Sequence, residues 1–261
     1  MNHQSLFNLD LSQRIEYADL NFPDFNPCFS CQLIGNSSVN IDMDIQTIQF
    51  ETLAQTTFLL RRAENPRARL IILNHGFMSN AERMWDRFID RLPDDVHLLA
   101  ANGPYPIPTK LEKSWKVGYS WFFYDNFKET FFIGYDIPKA FAKNLCQKLG
   151  FEENLKTIIG FSQGGYAAPH MAEGLNNVDH VIGMGCRFKI RNPKWPDNLI
   201  IEAIHGEDDD VVEWAGAQES FQSLPEKHRG QLMVLPKLDH KPNQEMLGQV
   251  ASWVKNRHHS V

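Results

Sequence analysis

Short apolar runs alternate with longer stretches of helical spacing along most of this chain, and no other feature restricts its fold as much. RLIILN (69–74) holds an unbroken apolar run from Leu70 to Leu73. A strand with one wet face would alternate, so this run predicts a strand covered on both faces. It is followed by a helical stretch at 81–92, with Met84, Trp85, Phe88, Ile89 and Leu92 on one face. The rhythm repeats to the C-terminus. Strands are predicted at 96–101, 155–161, 178–186, 199–205 and 230–235, and helices at 137–149, 163–174, 213–223 and 243–257. Pro138 falls in the first turn of its helix, where a missing N–H costs little. Pro169 falls inside another and predicts a bend or a shortening. Such alternation implies an α/β fold with a mostly parallel central sheet and helices on both faces.

Two further strands, 46–53 and 56–62, are predicted to form a hairpin at the start of this domain. The segment 102–135 is a long, ring-rich connection. Residues 1–45 carry Pro23, Pro27 and the stretch GNSSVN. They read as an N-terminal extension packed on a catalytic domain spanning 46–261. No repeat or linker divides the remainder.

Bulk properties exclude several partners. The net charge is −6 with 22% charged residues. Nucleic-acid binding needs a clustered Lys/Arg surplus that such a chain does not supply. No run has the roughly 18–20 apolar residues needed to span a bilayer. The first residues do not read as a signal peptide, so a cytoplasmic location is expected. Four cysteines in 261 residues do not make a disulfide framework. Cys28-x-x-Cys31 is half of a zinc pattern without its second half. No metal and no cofactor is therefore expected. Oligomeric state is not legible in any of these features.

In sheets of this class, chemistry collects at the carboxyl ends of the strands. Gly160-x-Ser162-x-Gly164 lies between a predicted strand and a predicted helix, the context a nucleophile elbow requires. Glycines two residues on either side remove collisions at a sharp turn. The following helix points its N-terminus at the serine, which favours developing negative charge. A serine hydroxyl still needs a base, and the base an orienting acid. Among the downstream histidines, His170 lies within the elbow helix, His180 begins a strand, His228 sits in a polar loop, and His258 and His259 are terminal. His205 precedes the acidic run, and a base there would break the usual serine–acid–histidine order. His240 follows that run and is the expected base. His75 and His205 each precede a glycine at a strand end and read as turn-shaping residues. The acid should come from Glu207, Asp208, Asp209 or Asp210, and spacing does not choose among them. These carboxylates lack the alternate spacing and glycine bend of a calcium loop.

LNHGF, then GPYPIPTK…YSWFFYD, then GFSQGG, HGEDDDVV and a late histidine together resemble the phospholipase/carboxylesterase family of α/β-hydrolases, whose best-known members are acyl-protein thioesterases. The likeness runs from about residue 56 to the C-terminus. It implies Ser162 as nucleophile, Asp209 as acid and His240 as base. It also implies the backbone N–H groups of Phe77 and Gln163 as oxyanion donors. The family's proline after the acid is Asp210 here, which keeps Asp210 in play beside Asp209. Its glycine before the histidine is Asp239, and Lys241-Pro242 follows.

The implied activity is cleavage of carboxylic ester or thioester bonds in a small-molecule or lipid-like acyl substrate, through an acyl-enzyme. The rings of 119–135, Trp121 and Phe122 in particular, read either as an acyl-binding wall or as edge packing. Two alternatives share the elbow. One is a non-catalytic scaffold of the same fold that binds a ligand or partner. The other is a peptidase or a dienelactone-hydrolase-like enzyme.

Overall fold

The structure is a computed structural model that describes residues 56–125, 130–190 and 192–258. The proposed extension at 1–45, the first strand of the proposed hairpin at 46–53, and Cys28 and Cys31 lie outside these residues.

Among the described residues, seven strands form one sheet: β1 (Phe58–Arg61), β2 (Leu70–Asn74), β3 (His97–Ala101), β8 (Lys156–Phe161), β9 (Val178–Met184), β10 (Ile200–Gly206) and β11 (Arg229–Leu235). Their order is β1-β3-β2-β8-β9-β10-β11. β1 runs antiparallel to β3, and every other pairing is parallel. Five consecutive residues of β2 are buried, as expected of a strand covered on both faces.

The helices divide between the faces. Leu70 and Ile72 of β2 pack with α2 (Asp136–Leu149), α3 (Gln163–Gly174) and α4 (Trp214–Gln222). Ile71 and Leu73 point the other way, to α1 (Ala81–Phe88) and α5 (Gln244–His258). The same period-two division holds for Ile158 and Ile159 and for Val181 and Ile182.

Three elements differ from expectation. α1 ends at Phe88 rather than 92, yet Leu92 is still buried, because a turn carries it back to the Phe88 carbonyl. α3 runs through Pro169 without interruption. Burial of Ala167, Ala168, Met171 and Ala172 against the sheet outweighs the one missing backbone bond. β9 stops at Met184 because Gly185 turns into the left-handed region at φ +54. The long connection contains two antiparallel pairs outside the main sheet, β4 (Tyr105–Lys110) with β5 (Trp115–Ser120) and β6 (Phe123–Asp125) with β7 (Thr130–Phe132). No helix among the described residues is long and apolar enough to cross a membrane.

Candidate active site

Strand order brings the candidate residues to one place. β8 lies between β2 and β9, with β10 and β11 beyond. Segments leaving the carboxyl ends of β2, β8, β9, β10 and β11 therefore meet above a single stretch of sheet edge.

Ser162 leaves β8 at φ 51, ψ −121, a conformation non-glycine residues rarely adopt. The turn is held by its N–H on the Met184 carbonyl at 2.8 Å and by Gly165 N donating to Ser162 O at 2.8 Å. The flanking glycines are sterically required. A Cβ on Gly160 would run into the Gly164 carbonyl. One on Gly164 would lie 2.5 Å from Asn74 O and 2.6 Å from His75 O. The elbow therefore depends on α3 approaching β2 closer than any side chain permits.

His240 follows β11 and lies over the elbow. Its Nε2 is 2.9 Å from Ser162 Oγ and its Nδ1 is 2.7 Å from Asp209 Oδ2. A carboxylate only accepts, so Nδ1 carries the proton and the Nε2 lone pair faces the serine hydroxyl. The Phe161 ring packs beside the imidazole, centroids 5.0 Å apart.

Among the four adjacent carboxylates, Glu207, Asp208 and Asp210 are exposed, whereas Asp209 is buried at 5% exposure. Asp209 is turned inward by its own main chain. Oδ1 accepts from Val211 N at 3.0 Å and Val212 N at 2.7 Å, which leaves Oδ2 for His240. His205 adds a contact that sequence reasoning missed. Its Nε2 lies 2.6 Å from Val212 O and 3.3 Å from Asp209 Oδ2, so it carries a proton toward both. Burial lowers the His205 pKa and keeps that ring neutral. Gly185 was also missed. A Cβ there would sit 3.5 Å from both Asp209 Oδ2 and His240 Cε1, so the end of β9 forms a wall of the site. A lone glycine at a strand end was the available signal.

The segment after β2 borders the serine. A Cβ on Gly76 would lie 3.4 Å from Ser162 Cβ. The Gly76 carbonyl accepts from His75 Nδ1 at 2.7 Å and from Ser79 N at 3.2 Å. In a trans peptide the next N–H points the opposite way, so Phe77 N–H is directed away from the His75 ring. His75 Nε2 accepts from Gly103 N at 2.9 Å, which sets its tautomer, and burial holds its pKa down at about 4. His75 is thus a turn-shaping residue, as expected. Gln163 opens α3, and the first amides of a helix have no intrahelical acceptor.

For Trp121 and Phe122, burial favours packing over an acyl-binding wall. They are 1% and 3% exposed and belong to the core under α2 and α3, so they pack the connection rather than face an acyl chain. The cause is hydrogen bonding. Trp121 N–H donates to Gln163 Oε1 at 2.9 Å and the indole N–H to His75 O at 2.7 Å, which pulls the ring beneath the site. Cys186 is buried beside α3, and burial pushes its thiol pKa up, away from nucleophilic use. Among the described residues, no group of three or more His, Cys, Asp or Glu side chains is placed to hold a metal ion.

Comparison with known proteins agrees with the fold. Acyl-protein thioesterase 2 from Zea mays superposes with a TM-score of 0.59 at 19% identity, covering 79% of this chain and all of that one. Esterase PE8 superposes at 0.61 with 20% identity, covering 78% of this chain and 99% of the other. A Bacillus cereus carboxylesterase gives 0.60 at 14% identity, covering 78% and 95%. A search of curated proteins gives no match. The phospholipase/carboxylesterase family model, in contrast, matches residues 56–258. With the match spanning the whole described sheet and all five of its helices, this chain belongs to the phospholipase/carboxylesterase family of α/β-hydrolases.

Proposed function

We propose that the protein is a serine hydrolase that cleaves ester or thioester bonds of small or lipid-like acyl substrates through an acyl-enzyme, with 46–261 as catalytic domain and 1–45 as an extension. One observation carries the reading: the unbroken chain from Ser162 Oγ through His240 to Asp209, at 2.9 and 2.7 Å. Ser162 attacks the carbonyl carbon while His240 Nε2 takes its proton. Asp209 holds the tautomer and stabilises the imidazolium. The oxyanion rests on the Phe77 and Gln163 amides, each donor of this kind contributing about 2.7–4 kcal/mol. Collapse of the tetrahedral intermediate expels the alcohol or thiol, which takes the proton from His240. A water, deprotonated by the same imidazole, then attacks the acyl-serine and frees the acid.

The names of the structural neighbours, a thioesterase and two esterases, agree with the bond class. Ser162→Ala should abolish hydrolysis of p-nitrophenyl esters, and a fluorophosphonate probe should label the parent protein at Ser162 alone. Undiminished turnover by the alanine variant would refute the assignment. Absent labelling would favour a binding scaffold.

A further inference from the structure

The two proposed oxyanion donors lie on segments 86 residues apart, Phe77 after β2 and Gln163 at the start of α3. Stabilising a tetrahedral oxygen requires their N–H groups to converge within a few tenths of an ångström. Something must hold the two segments at a set distance. β2 and β8 pair side by side as far as Asn74 and Gly160, but the pairing ends there. Beyond that point Phe77 sits on a turn and Gln163 opens α3, and the close approach of Gly164 to the Asn74 and His75 carbonyls sets the helix against β2 without fixing the Phe77 turn.

Trp121 spans the gap. Its indole N–H donates to the His75 carbonyl at 2.7 Å, two residues before Phe77. Its backbone N–H donates to Gln163 Oε1 at 2.9 Å, on the side chain of the other donor residue. Ser120 Oγ lies 3.0 Å from the same carboxamide oxygen and 2.5 Å from the Phe122 carbonyl, which share its single proton. The ring itself cannot tilt freely. It lies against the His75 imidazole, tilted 33° with centroids 5.1 Å apart, and meets Phe141 edge-on at 5.7 Å. The Gln163 side chain leaves its buried Nε2 without an acceptor among the described residues, a cost that its oxygen's two contacts must offset.

We infer that Trp121 is a positioning residue, a brace that sets the spacing of the Phe77 and Gln163 amides through one hydrogen bond to each segment. The inference rests on the proposed hydrolase reading. It predicts that either link, once cut, loosens the same two donors. A misplacement of about 1 Å at a reacting centre typically costs about 100-fold in rate.

The test compares Trp121→Phe, which removes the indole N–H and keeps a buried ring, with Gln163→Leu, which keeps the backbone N–H and removes the side-chain acceptor. On p-nitrophenyl butyrate each should lower kcat about 10- to 100-fold with KM within about three-fold. The double variant should fall no further than the worse single, since both cut one chain of contacts. Affinity for phenylboronic acid, whose serine adduct places an oxygen in the same position, should drop by a similar factor. Phe151→Leu disturbs the same core at a ring that packs against His97 and Arg62 and touches neither bond. It should lower the melting temperature and leave kcat within about three-fold.

An unchanged kcat in Trp121→Phe, an equal loss in Phe151→Leu, or fully multiplicative effects in the double variant would each overturn the brace. If Ser162→Ala is inactive while Trp121→Phe keeps the parent kcat, the brace alone fails. If Ser162→Ala turns over normally, the hydrolase reading fails and takes the brace with it.

Discussion

Replacing Asp209 with asparagine should reverse the tautomer of His240. Oδ1 of Asp209 is claimed by two main-chain donors, Val211 N and Val212 N, which no side-chain change removes. The asparagine oxygen must stay with them, so its NH2 group faces His240 Nδ1, where Oδ2 now accepts at 2.7 Å. An NH2 group donates, which drives the imidazole proton to Nε2. Nε2–H can no longer accept the Ser162 proton across the 2.9 Å that separates them.

Two costs add. Restoring the productive tautomer forfeits a buried hydrogen bond, about 1–2 kcal/mol. The imidazolium formed during attack also loses a carboxylate about 4 Å away between charge centres, roughly 4 kcal/mol at an effective dielectric of about 20. Together these give about 5–6 kcal/mol, or a fall in kcat of about 10⁴-fold. The assay is p-nitrophenyl butyrate hydrolysis with kcat and KM resolved, on protein whose circular-dichroism melt shows it folded. Asp210→Asn is the partner measurement. That exposed carboxylate faces water, and its loss should leave kcat within about two-fold. A folded Asp209→Asn within ten-fold of the parent kcat, or an Asp210→Asn that loses more, would refute the reasoning.

Stability should fall on acidification. Burial lowers the pKa values of His75 and His170 to about 4, against about 6.5 when unfolded. The unfolded chain then binds more protons between those values, so each contribution is complete above pH 6.5 and is lost as pH drops to about 4, on the order of 3 kcal/mol apiece. Urea midpoints from pH 7 to 4 should decline, and His170→Phe should flatten the slope; a pH-independent midpoint contradicts this. Gly185→Ala places its methyl 3.3 Å from Phe161 Cε2 and 3.5 Å from Asp209 Oδ2 and His240 Cε1, and it must hold φ +54. It should lower unfolding free energy by about 1–2 kcal/mol in urea titrations. Gly164→Ala drives a methyl to 2.5 Å from the Asn74 carbonyl, and it should cost more than Gly185→Ala in the same titrations.

Much of this molecule could be read from the order of its residues. Strand and helix positions follow from local periodicity, and the strand at 70–74 with the helix at 163–174 lies within a residue of expectation. The elbow was legible because its glycine spacing is local, with Gly160 needed by the nearby Gly164 carbonyl, although Gly164 itself is required by the distant Asn74 and His75 carbonyls. His240 was reached by elimination, since a histidine just beyond a late strand has one end of the sheet to occupy. Sequence left Trp121 open between an acyl-binding wall and packing, because a ring-rich stretch looks alike whether it faces a ligand or the core.

By itself, then, the sequence determined the alternating layers, the strained serine and the kind of residue that must accompany it, since all three come from short-range sterics and spacing. The tertiary structure alone decided which of four neighbouring carboxylates turns inward. It also decided that His205 and Gly185 border that carboxylate, and that Trp121 bonds through its indole and its main chain to two segments remote in sequence. Those outcomes depend on burial and on hydrogen bonds between groups tens of residues apart. No local pattern encodes a meeting that exists only once β2, β8, β10 and β11 stand side by side in the order the fold imposes.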